Sequence, residues 1–232
     1  MSTSIFKILF FVLFAGSAYA QVDKFAPTSI RVGGDVANYT YGLLNKNFSA
    51  WEVEGDIDIH RYFVVMDMGY NSFSQSDENN YHSYKSNGRY FRLGMDINFM
   101  RNPINQNVLA LGVRHGWVVF RESATYSTYN NIENNTYWPE QILEYNEDRI
   151  RGRWFELTTS LKGRVYKNLY MGATVRYKFL PRGYKDGTFQ AYYIPGFGKR
   201  VDNSNWGISY FIAYRFAFRK KKQFYFVPKD KN

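Results

Sequence analysis

Three histidines make up the whole imidazole complement of this chain, and they stand far apart at His60, His82 and His115. No H-E-x-x-H, G-x-S-x-G, Walker or dinucleotide-binding pattern accompanies them. His82, with Ser83 and Asp77 nearby, is the one grouping that could activate a hydroxyl. In a polar loop such residues read more simply as surface. The absence of cysteine removes disulfide frameworks, thiol catalysis and thiolate-bound metals. The densest titratable constellation is acidic: Glu52, Glu54, Asp56 and Asp58 occupy every second position of one segment. Such a row could hold a hard cation, or each carboxylate could face an Arg or Lys on a neighbouring strand. Basic residues recur elsewhere with the same period, so the second reading is preferred. No catalytic residue, metal ligand or cofactor is assigned.

The element that positions this row is a β-strand with two unlike faces. Residues 51–60 set Trp51, Val53, Gly55, Ile57 and Ile59 against the four acids and His60. The same alternation runs through 89–99, 169–180 and 206–218, and less regularly through about 28–41, 62–73, 107–121 and 150–166. These eight segments are joined alternately by tight turns and by longer polar loops. The turns fall at His60-Arg61, Arg101-Asn102-Pro103 and Lys167-Asn168, and the loops at 42–49, 74–88, 124–149 and 181–204. Short connections at one end and long ones at the other are characteristic of outer-membrane barrels, with both termini on the periplasmic side.

Composition supports this reading. Aromatic residues are 20 % of the 232-residue chain, which excludes a disordered protein. Mean hydropathy is −0.47, and no apolar run approaches the roughly 20 residues of a spanning helix. A soluble barrel shares the period with its faces exchanged, but three features oppose it. The polar face is rich in small residues, among them Gly69, Gly94, Gly116 and Gly172. The apolar face places Trp51, Tyr70, Tyr177 and Trp206 towards one rim, and Tyr62, Phe99, Phe216 and Phe218 towards the other. The last strand closes on alternating aromatics that end at Phe218. The expectation is an all-β, eight-stranded antiparallel up-and-down transmembrane barrel.

With the polar faces inward, the lumen holds Asp35, Glu52, Glu54, Asp56, Asp58, Asp67, Asp96 and Glu156 against Arg31, Arg92, Arg114, Lys162, Arg164, Arg176, Lys178 and Arg215. The formal balance is zero. Buried charge is costly unless paired, so the interior reads as an interlocked plug. His115 falls on the lipid side between Val113 and Trp117, where a bulge or a nearby interface would accommodate it.

The chain opens on Lys7 and the apolar run Ile8–Ala15, followed by the A-x-A pattern of Ala18-Tyr19-Ala20. This predicts a cleaved leader over 1–20, with Gln21 as the new terminus rather than the Cys of a lipoprotein. A periplasmic segment at 21–27 and the barrel at 28–218 follow. The tail at 219–232 carries six bases against one acid. Basic excess can signal nucleic acid, but an exported barrel does not meet it. Aromatics Tyr137 and Trp138, on an acidic loop, are candidates for contact with a partner. Tyr193, Pro195 and Phe197 are too apolar for water and either pack over the mouth or dock on a partner.

Ile30–Asp35, Tyr137-Trp138-Pro139-Glu140, Tyr193–Gly198 and the closing Trp206-Gly207 with Tyr210, Tyr214 and Arg215 resemble a family of small outer-membrane barrels of unknown function from Bacteroidota. The architecture is similar to OmpA/OmpX-type eight-stranded barrels. The resemblance implies an outer-membrane location in a Gram-negative bacterium and no catalytic residues. The expected function is non-enzymatic, structural or interactive, with a narrow channel or solute-binding barrel as the alternative. The expected partners are outer-membrane lipid and lipopolysaccharide, with another envelope protein as a further candidate and no nucleic acid.

Overall fold

Period-two alternation buries one face of each strand and leaves the other apolar and exposed, so a single sheet must curl on itself to hide its polar side. The computed structural model describes residues 26–77, 82–100, 107–127, 142–181 and 190–219. The predicted leader, Tyr137 and Trp138, and the tail beyond Arg219 lie outside these residues.

The elements are β1 (Ser29–Asp35), α1 (Val36–Leu44), β2 (Phe48–Ile59), β3 (Tyr62–Asp77), β4 (His82–Asn98), β5 (Val108–Ser127), β6 (Ile142–Tyr166), β7 (Leu169–Phe179), β8 (Tyr193–Ile194), β9 (Gly198–Lys199) and β10 (Ser204–Ala217). Strands β1–β7 and β10 form a closed antiparallel barrel, each paired with its sequence neighbour, with β1 sealing against β10. The small hairpin β8–β9 stands apart in the last connection. The faces are inside-out. Arg92, Asp67, Glu156 and Arg114 are buried, while Leu93, Met66, Leu157 and Val113 are exposed. The two-residue turns at His60-Arg61 and Lys167-Asn168 use left-handed His60 and Lys167, which matches hairpin twist.

The structure corrects several of the predicted boundaries. The first strand, predicted over 28–41, ends at Asp35, and Val36–Leu44 is helical. Alternation continues past this point, but the Asp35 carboxylate accepts from the backbone N–H of Ala37 at 2.9 Å and of Asn38 at 3.2 Å. That is an N-cap, and it starts a helix where the strand pattern would continue. Helix α1 lies against β2 and β10, covering the upper stretch where β1 no longer pairs them. Strands β3–β6 also run further than predicted. The long loops expected at 74–88 and 124–149 reduce to connections at 78–81 and 128–141. Above the apolar belt the outward face has no reason to be apolar, so the alternation fades while the hydrogen-bonded ladder continues. β6 has 25 residues, against the roughly 9–11 that span a bilayer. The barrel wall is therefore high on the β5–β6 side and low at β1.

Candidate functional site

The lumen is built in layers by register. Nearest the two-residue turns, Arg31 donates through Nε to Asp56 at 2.8 Å and lies over the rings of Phe63 at 4.5 Å and Tyr170 at 5.6 Å. Phe63 and Val65 pack with Val108 and Ala110 as an apolar floor. Lys162, on β6, then bridges Asp56 at 2.8 Å and Glu54 at 2.6 Å.

The central layer joins three guanidiniums. Arg114 meets Asp67 at 2.5 Å, and Glu54 and Asp96 at 3.5 Å. Arg92 pairs with Glu52 and reaches Asp67 and Glu156 at 3.3 Å. Arg176 meets Glu52 at 2.9 Å and donates to Ser209 Oγ at 2.6 Å. Neutral donors complete the shell: Tyr90 OH donates to Glu52 and Trp154 Nε1 to Glu156, both at 2.6 Å. Most of these carboxylates thus meet more than one donor, which is what makes buried charge tolerable.

The opposite mouth is closed by residues 190–199 of the last connection. Ile194 and Phe197 are fully buried, packed with Tyr90, Val118, Phe120, Ile150, Trp154, Leu180 and Ala191. Lys178 Nζ ties this strap down by donating to the carbonyls of Gly196 at 2.9 Å and Phe197 at 3.0 Å. Ser86 donates to Tyr193 O at 2.8 Å, and the Tyr193 ring stacks on Phe73 at 4.7 Å. Gly196 and Gly198 take positive φ, the bend that lets the strap turn inside the mouth. Burial pushes the Tyr193 hydroxyl up to about 12, against a smaller lowering by the Asn71 hydrogen bond.

Several predicted lumenal residues take other roles. Lys178 meets strap carbonyls, Asp35 caps α1, and Arg164 is exposed at the end of β6 beside a register shift. Arg215 lies near the floor, donating to Ser29 Oγ at 2.9 Å, and Asp58 is buried at the same end. Tyr193, Pro195 and Phe197, open to two readings in the sequence, are seated in the mouth and buried. His82 pairs across the ladder with Asp77, and consecutive strand residues face opposite sides, so Ser83 points away from His82. His115 sits outward between Trp117 at 4.2 Å and Phe155 at 4.5 Å. Among the described residues no group of His or carboxylate side chains is placed to hold a metal ion.

Sequence reasoning missed Tyr90 and Trp154 as lumenal donors. A signal was present, because both share a face with Arg92 and Glu156. The structure pairs each with a glycine, Gly69↔Tyr90 and Gly116↔Trp154. The small residues of the polar face are the sockets for its large ones.

The chain is similar in structure to Ail, the attachment invasion locus protein of Yersinia pestis, solved in complex with the heparin analogue sucrose octasulfate. Sequence identity is 10 %, the TM-score is 0.36, and the match covers 82 % of this chain and 98 % of that one. No curated protein matches the chain. A family model matches residues 1–221, nearly the whole chain. The protein belongs to the family described as Domain of unknown function (DUF6048).

Proposed function

We propose that this protein is an outer-membrane barrel of a Gram-negative bacterium that performs no catalysis and serves as a structural or interaction component of the envelope. The observation that carries the reading is closure of the lumen at successive levels. An apolar floor lies around Phe63 and Val65, an ion-paired centre around Arg92, Arg114 and Arg176, and a buried strap around Ile194 and Phe197. A narrow eight-stranded barrel filled by side chains leaves its outer surface and extracellular extensions as the parts free to act. Apolar outward residues such as Leu93, Val113 and Ile208 support insertion in lipid, and the leader pattern at 1–20 supports export. The high β5–β6 wall and the loop holding Tyr137 and Trp138 are the surfaces offered to lipopolysaccharide or to a second envelope protein.

Planar-bilayer recording of the purified protein tests this reading. Silence across a wide voltage range is expected, whereas steady single-channel steps would replace the plug with a narrow pore. Cross-linking in native membranes, followed by mass spectrometry, should recover an envelope partner through 142–149; recovery of the monomer alone would refute the interaction role.

A further inference from the structure

The outward face of β4–β6 carries a charge pattern that the lumen does not explain. Arg89, Arg121, Arg149, Arg151 and Arg153 are all exposed, and none makes an ion pair among the described residues, whereas the central lumenal arginines each meet several acids. Their position is specific. Trp117 lies opposite Arg153 and Val119 opposite Arg151, and the Phe91 ring stacks on Trp117 at 5.8 Å. The arginines therefore begin where the aromatic belt ends, at the level expected for lipid headgroups. Cationic side chains on the lipid face are costly at mid-bilayer but not near the interface.

A break in the ladder gathers three of them. The register shifts between Phe120 and Glu122, so Arg121 opposes both Asp148 and Arg149. Arg149 adopts φ 62°, a left-handed conformation that a non-glycine residue rarely takes. The result is a cavity of about 630 Å³ lined by Tyr70, Asn87, Arg89, Val119, Arg121 and Arg149, with Asp148 as its one carboxylate.

We propose that this outward cavity binds the phosphate groups of an outer-leaflet phosphoglycolipid, the lipid A part of lipopolysaccharide. Guanidinium forks pair with phosphate oxygens in bidentate fashion, and Tyr70 and Asn87 supply donors for sugar oxygens. The acyl chains continue down over Val119, Trp117 and Phe91. This continuity of a cationic cavity with an apolar belt favours a membrane lipid over a soluble sulfated glycan. The proposal rests on the outer-membrane reading above and adds the site and the chemical group recognised.

The test uses the full chain in phosphatidylcholine nanodiscs, with native mass spectrometry counting bound bisphosphorylated lipid A or its dephosphorylated counterpart. At least a tenfold preference for the phosphorylated form is expected. The triple variant Arg89→Gln, Arg121→Gln, Arg149→Gln should lose it, while Lys46→Gln, Lys167→Gln, Arg219→Gln, which removes equal charge elsewhere, should keep it within twofold. Heat-modifiable gel mobility verifies that every variant folds. Equal retention by the triple variant, equal binding of the dephosphorylated lipid, or tighter binding of a sulfated glycan than of lipid A would each overturn the site. Those results in a folded, non-conducting barrel leave the plug reading standing; conductance would strike that reading alone, and failure to insert into lipid would overturn both.

Discussion

Two arginines three residues apart on β4 offer a direct test of the inside-out assignment. Arg92 is buried against Glu52, Asp67 and Glu156, whereas Arg89 is exposed on the outward face. Arg92→Leu removes a shared cation and leaves three carboxylates in a closed interior. Breaking a buried pair costs about 3–5 kcal/mol. Each acid keeps a second partner: Glu52 has Arg176 at 2.9 Å, Asp67 has Arg114 at 2.5 Å, and Glu156 has Trp154 at 2.6 Å. The expected cost is therefore at the lower end, about 3 kcal/mol. With a urea dependence of about 3 kcal/mol per molar, the midpoint falls by roughly 1 M. Arg89→Leu should stay within about 0.5 kcal/mol. Equilibrium urea titration of both variants in lipid vesicles, read by tryptophan fluorescence, measures the difference. Adding Glu52→Gln to Arg92→Leu should recover part of the loss. Equal midpoints for the two single variants would refute the assignment of faces.

The remaining lumen is open to similar tests. Gly116→Val places a side chain against the Trp154 indole, which is fully buried; the expected cost is about 1–3 kcal/mol, with a shift in indole emission that a wild-type spectrum would disprove. Phe197→Ala empties the centre of the strap cluster and should cost about 3–5 kcal/mol. The barrel should nevertheless stay silent in planar bilayers, because the arginine layer beneath remains, and ion flux in this variant would show that the strap is the sole seal. Tyr193, pushed up to about 12 by burial, keeps its proton after the unfolded chain begins to lose it near 10. Its contribution is therefore complete below pH 10 and declines as the pH rises towards 12; stability curves of wild type and Tyr193→Phe that decline in parallel there would contradict this.

Residues 51–58 illustrate what was legible without coordinates. Alternate carboxylates assign their own face whatever the neighbours are, because side chains along a strand have a period of two. Tight turns at His60-Arg61 and Lys167-Asn168 similarly mark hairpins wherever the rest of the chain goes. Other features were hidden. The strand-to-helix switch at Asp35 depends on one carboxylate reaching two backbone donors, and the alternation over 36–41 suggested strand equally well. The extensions of β5 and β6 carry no apolar stripe because they rise beyond the belt.

The face of each strand was thus written in the sequence: which side is charged, which is apolar, and that eight such strands need a closed ring. Height was not. The period assigns Lys178 to the lumen but does not say that its level meets the carbonyls of Gly196 and Phe197 rather than a carboxylate. Nor does it say that Arg121 and Arg149 converge at a bulge on the outer wall. Turns set the register within each hairpin, but partners 60 or more residues apart on strands that are not adjacent, such as Arg92 and Glu156, meet only when the sheet curls into a ring. Alternation is a local property of one strand, whereas the ion pairs, the strap and the outward arginine cavity belong to the ring.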